Sequence, residues 1–263
     1  MFNKDSFLSA VLPQSGSYCV VGLKKDEKPK QKFVGSIEEI GVLADSLVSN
    51  GYDAYYALAS FADPKEGRTA VNASQLKSFF IDIDCGIGKP YADQAEGVTA
   101  LKKFLKDTGL PKPTVVNSGR GVHAYWILDE AIPSSEWKPL AEKFKALCDK
   151  HKLDADPAVT ADLARILRIP DTLNFKNPED PQNVSILTTG GLLNVEVIKE
   201  VLNTVEVDVF AGMVGKPFIP REMDALTMQL MGNSQSRFKT IMIKSIEGTG
   251  CSQLLHIYEN RAY

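Results

Sequence analysis

The segment SFFIDIDCG, residues 78–86, limits what this chain can fold into more than any other stretch. Phe79, Phe80, Ile81 and Ile83 favour a β-strand, and successive strand residues point to opposite faces of their sheet. Phe79, Ile81 and Ile83 therefore share one face, and Asp82 and Asp84 share the other. Two rises of about 3.3 Å leave the carboxylates about 6.6 Å apart, where they repel unless something positive lies between them. A divalent metal ion resolves that conflict. One side of this strand must enter a core while the other side faces a cation.

Composition removes several classes of answer. The 263 residues, 44% hydrophobic, suffice for one large domain or one domain with a smaller appendage. A net charge of −3 gives no global sign of a nucleic-acid binder, although it leaves room for a local basic groove. Cys19, Cys85, Cys148 and Cys251 are far apart with no C-x-x-C pair, which argues against a zinc ribbon or a disulfide framework and for reducing cytoplasm. A signal peptide, an apolar run of 18 residues, a short-period repeat and a low-complexity tract are all missing from the sequence, so a soluble protein without a membrane partner is expected.

The order of elements is readable in the middle of the chain. After the 79–84 strand, Ala95, Val98, Leu101, Phe104 and Leu105 recur at helical spacing until Gly109 and Pro111. In PTVVNSGRGVHAYWIL, residues 113–128, two β-rich runs flank Ser118, Gly119, Arg120 and Gly121, which is the pattern of a hairpin. A second amphipathic helix follows Ser134 and Ser135, carrying Trp137, Leu140, Phe144, Leu147 and Cys148. Strands are expected again at 166–169 and 184–187. The sum is an α+β fold with an RRM/ferredoxin-like β-α-β-β-α-β core, whose helices cover one sheet face and leave the other free for chemistry. His123 and Tyr125 share a face of the hairpin, and if that face is the open one, His123 joins the aspartates.

A third group of residues lies in LDADPAVTADLARILRIPDTLNFK, residues 153–176, where Asp154, Asp156 and Asp162 precede Arg165, Arg168 and Lys176. An acid followed by spaced cations suits a metal–triphosphate site. The acid completes the metal shell, and the cations balance phosphate charge. Two metal ions about 3.5–4 Å apart could then clamp the attacking and leaving oxygens of an in-line displacement.

These motifs together resemble the archaeo-eukaryotic-type primases, the primase-polymerases of phage and plasmid replication proteins. FFIDID corresponds to the family's h-h-h-D-h-D, SGRGVH to its S-x-H type, and DPAVTADLARILR to its acid followed by a basic stretch. The resemblance spans roughly 59–190. It implies that Asp82 and Asp84 are metal ligands, with Asp156 chosen as the third acid while Asp154 and Asp162 stay open. It also implies that His123, Ser118, Arg120, Arg165, Arg168 and Lys176 meet a nucleoside triphosphate. Gly121 stands where strict S-x-H has serine. Arg68, in a charged loop upstream of the first motif, is a further nucleotide-binding candidate, or simply an exposed charge.

The implied protein is a DNA primase-polymerase dependent on two Mg²⁺ or Mn²⁺ ions, acting on a single-stranded DNA template or primer–template duplex with dNTPs or NTPs in the cytoplasm of a bacterial host. Its catalytic domain would span 1–190, as an N-terminal α/β module at 1–75 and the RRM-like core at 76–190. A linker region at 191–222 and a small helical segment at 223–263 would follow, with a helicase or other replication module beyond. Lys24, Lys25, Lys28, Lys30 and Lys32 form a basic patch for template, or a solvated loop. Competing classes are a nucleotidyl cyclase, which carries an acid in the central hairpin, and a rolling-circle initiator or relaxase, which needs paired histidines and a nucleophilic tyrosine. The three histidines here, His123, His151 and His256, are not adjacent.

Overall fold

The computed structural model describes residues 3–204, which lie in one compact unit of the chain. The helical segment expected at 223–263 and most of the linker region at 191–222 fall outside the described residues.

The chain opens with α1 (Lys4–Val11), β1 (Tyr18–Leu23), β2 (Lys30–Val34), α2 (Ile37–Ser49), β3 (Asp53–Ala57) and β4 (Ala59–Phe61). Both helices begin with a capping box, Asn3 with Ser6 and Ser36 with Glu39, so their free N–H groups have partners from the first turn. Next come β5 (Ala73–Asp84), α3 (Gln94–Thr108), β6 (Thr114–Asn117), β7 (Gly121–Pro133) and α4 (Ser134–Lys150). The Asp93 side chain caps α3, and Gly109 ends it in the left-handed conformation at φ 72°. The short α5 (Pro157–Thr160), β8 (Ile166–Arg168), β9 (Thr172–Asn174), β10 (Gln182–Thr188) and α6 (Val195–Leu202) complete the described chain. Ile198 and Leu202 of α6 are fully buried.

Two sheets result, one in the order β2-β1-β3-β8 and one in the order β4-β5-β7-β6-β10-β9. The expected β-α-β-β-α-β order is present as β5-α3-β6-β7-α4-β10. Its last strand pairs with β6, so β4 from upstream occupies the place beside β5. The strand expected at 166–169 is β8, which pairs with β3 in the other sheet. Each sheet thus includes a strand from the other's stretch of sequence.

Phe79, Ile81 and Ile83 are fully buried, as an inward face requires. Phe79 and Phe80 both stack on Trp137 of α4, at 5.7 and 5.5 Å between ring centroids, and the Trp137 indole donates to the Ser78 carbonyl at 2.9 Å. The opposite face is not open along its length. Phe7 of α1 packs edge-on against Tyr125 of β7 at 5.2 Å and Tyr56 of β3 at 6.2 Å, and all three rings are fully buried. Large apolar rings on β3 and β7 would otherwise face water, at a cost of about 1.5–3 kcal/mol each. The end of the sheet carrying the aspartates remains accessible, with the Asp82 and Asp84 side chains at 23% and 46% exposure.

Candidate active site

At that end β5 and β7 run antiparallel with Asp82 opposite His123 and Asp84 opposite Gly121. The register places both acids and the histidine beside one cleft of about 900 Å³, within the range of small-molecule sites. Asp82, Asp84, Ser118, Arg120, His123, Asp156, Arg165, Arg168 and Lys176 all line it. The β5–β7 sheet supplies the first acids and the histidine, while β8 brings Arg168 from the other sheet.

The hairpin between β6 and β7 is held by its own side chains. Ser118 Oγ accepts the Gly121 N–H at 3.1 Å, and the Ser118 N–H donates to the Gly121 carbonyl at 3.0 Å. Gly119 turns the chain at φ 91°. A Cβ on Gly121 would lie 2.6 Å from the Ile83 carbonyl oxygen. Serine therefore does not fit that position in this fold, and Ser118 serves the turn.

The backbone singles out one of the three candidate third acids. The Asp156 N–H donates to the Asp82 carbonyl at 2.8 Å, which anchors it at the end of β5, and its side chain caps α5 by accepting the Ala158 N–H at 2.8 Å. Asp156 also faces Arg165 at 3.9 Å. Asp154 and Asp162 do not line the cleft. The Asp154 N–H donates to the Tyr91 hydroxyl, and Asp162 caps Ala164 and lies 3.8 Å from Arg165 Nε. Arg68 also lies outside the cleft lining, and its guanidinium donates to the Ala164 carbonyl, next to Arg165.

Electrostatics mark the cleft as short of positive charge near the acids. Burial and the neighbouring Asp84 and Asp156 push Asp82 up to about 7, against the pull of Arg165 and Arg168. Lys89 meets Asp84 at 2.5 Å from the loop after β5. Burial and Arg168 push His123 down to about 3, so the ring is neutral at pH 7. Its Nδ1 lies 3.2 Å from the Tyr125 hydroxyl and its Nε2 3.7 Å from Asp82 Oδ1. With the hydroxyl donating to Nδ1, Nε2 carries the proton as a donor beside the acids.

Three carboxylates around one cleft are hard oxygen donors of the kind Mg²⁺ or Mn²⁺ takes, and their mutual repulsion at Asp82 is what a divalent ion would relieve. Among the described residues no group of three or more His, Cys, Asp or Glu side chains closes into a metal-holding cluster. Phosphate is also suited to the opposite wall. The Nε atoms of Arg120 and Arg165 are buried with no hydrogen-bond acceptor among the described residues, and both side chains line the cleft.

The sequence reading passed over Asp53, Tyr55 and Lys89. Arg168 pairs with Asp53 at 2.8 Å and lies over the Tyr55 ring at 4.6 Å. The signal was an acid two residues before a tyrosine in a strand otherwise built from apolar and aromatic residues, YDAYYA.

No protein-family model and no curated protein matches the chain. Among solved structures, the AEP domain of the primase-polymerase of cyanophage S-2L is similar at a TM-score of 0.52 and 17% identity, covering 71% of this chain and 89% of that one. The fold is that of a primase-polymerase domain. The catalytic domain of primase RepB′, solved with initiator DNA, is similar at a TM-score of 0.48 and 12% identity, covering 76% of this chain and 91% of that one. The polymerase domain of Mycobacterium tuberculosis Ligase D, solved with DNA, gives 0.44 and 16%, covering 74% and 83%. In the primase-polymerase fold seen here, the three sequence motifs converge on a single cleft. Among the described residues no helix is long and apolar enough to cross a membrane.

Proposed function

We propose that this protein is a metal-dependent DNA primase-polymerase that transfers nucleotides to a 3′-hydroxyl under the direction of a single-stranded DNA template. The observation that carries the reading is the meeting of Asp82, Asp84 and Asp156 with His123, Arg165 and Arg168 in one cleft of a primase-polymerase fold. Asp82, Asp84 and Asp156 would hold Mg²⁺ or Mn²⁺. Bound there, the ions supply activation of the 3′-hydroxyl and neutralisation of the charge that builds on the leaving pyrophosphate.

The protein's own groups have separate tasks. Arg165 and Arg168 aim N–H donors at the triphosphate, and Lys176, exposed on the cleft wall, adds a mobile charge. The His123 Nε2–H donates to a phosphate oxygen; because the ring is neutral, it orients without competing with metal for Asp82. Arg120, paired with Asp180 at 3.3 Å, lines the cleft together with that acid. Ser118 and Arg68 act indirectly, through the hairpin and through the segment before Arg165. The substrates are a dNTP or NTP and a template strand, alone or with a primer.

The test is synthesis on single-stranded DNA with labelled dNTPs or NTPs, with and without a primer, in Mg²⁺, Mn²⁺ or chelator. Products that need metal are expected, and products made without a primer assign priming. An absence of product in every metal-containing reaction, from protein that is folded, overturns the reading.

A further inference from the structure

We propose that Asp53 is a positioning residue that aims Arg168 at the triphosphate. This rests on the reading of the cleft as a nucleotide site. Asp53 is on β3, outside all three motifs, and does not line the cleft. Its Oδ1 lies 2.8 Å from Arg168 Nη1, and both side chains are almost withdrawn from water, at 12% and 11% exposure. The same oxygen accepts the Phe175 N–H at 2.6 Å, so one carboxylate also fixes the backbone just before Lys176.

A guanidinium on a flexible stem has to be fixed both in plane and in direction before it can serve a phosphate without a large loss of entropy on binding. Tyr55, the direct cross-strand partner of Arg168, fixes the plane with its ring 4.6 Å away. Asp53 fixes the direction by taking one edge. The remaining edge belongs to a side chain that lines the cleft. An unpaired arginine this deeply buried would be costly to keep in place, whereas the paired one is held before the nucleotide arrives. The first strands of the chain therefore act on the site through Arg168 and the 175–176 segment.

The experiment measures binding of a fluorescent nucleoside triphosphate, with Mg²⁺, to the full chain and to Asp53→Asn, Asp53→Glu, Arg168→Ala and the Asp53→Asn/Arg168→Ala double variant. Primer–template affinity is measured in parallel. Asp53→Asn is expected to weaken triphosphate binding about tenfold with primer–template affinity unchanged. Because Asp53 acts through Arg168, the double variant should bind like Arg168→Ala alone, a failure of additivity that a merely structural role would not produce. Asp53→Glu keeps the charge and so protects the fold, but displaces the guanidinium, and a loss of about threefold is expected. Wild-type affinity in Asp53→Glu together with wild-type affinity or loss of fold in Asp53→Asn overturns the proposal, as do effects of Asp53→Asn and Arg168→Ala that multiply. If the wild type binds triphosphate but extends no primer, the proposed activity falls while the role of Asp53 stands. If it binds no triphosphate, both fall.

Discussion

At the scale of single residues, Asp82 carries the conflict from which the site is built. Its carboxyl is pushed up to about 7 by burial and by Asp84 and Asp156, far above its unfolded value near 3.9. A group raised in this way stabilises the metal-free fold fully below its unfolded pKa and loses that contribution as pH rises through about 7. Thermal midpoints measured in chelator are therefore expected to fall for wild type relative to Asp82→Asn between about pH 4 and pH 7, and Mg²⁺ should restore the wild type at pH 7.5. A constant difference across that range would contradict the electrostatic picture. His123 works in the opposite sense, since it is buried neutral and held down to about 3. The paired variant comparison is what isolates Asp82 from it.

At the scale of elements, the β5–β7 pairing and its hairpin decide which side chains reach the cleft. Gly121 lies opposite Asp84, and any side chain there meets the Ile83 carbonyl. Gly121→Ser should therefore cost about 1–3 kcal/mol in denaturant unfolding, the range of overpacking in a fitted interior. A neutral result would mean that the strands have room to part. Much at this scale was legible beforehand. The alternation in FFIDID, the stop at Gly109 and the glycines of the hairpin each rest on local backbone physics, and they appear where local physics puts them. The rest depends on pairing between distant strands. Three short residues, Ile166 to Arg168, favour a strand wherever they are, and nothing local says that they pair with β3 and not within the core sheet. The same limit hid Asp53 and Tyr55, because their importance comes from Arg168 arriving from more than a hundred residues away. Asp156 stood among three similar acids, and a backbone bond to the Asp82 carbonyl separates it from the others.

At the scale of the whole molecule, the two sheets share an interior and exchange strands, so that the cleft has a wall from each. Phe7 ties α1 to both sheets through Tyr56 and Tyr125, and the Tyr125 hydroxyl in turn touches His123. Phe7→Ala removes a fully buried ring and is expected to cost about 3–5 kcal/mol in chemical unfolding. Through Tyr125 it should also weaken triphosphate binding under conditions where the variant is still folded. Loss of stability with wild-type affinity would separate the packing from the site.

The most direct measurement is extension of a labelled primer on a DNA template in Mg²⁺ or Mn²⁺ by wild type and by Asp82→Ala, with both proteins shown to be folded. Extension by wild type and none by the variant is expected, because the carboxylate at the end of β5 is the centre of the proposed metal site. Equal extension by both proteins would contradict that account.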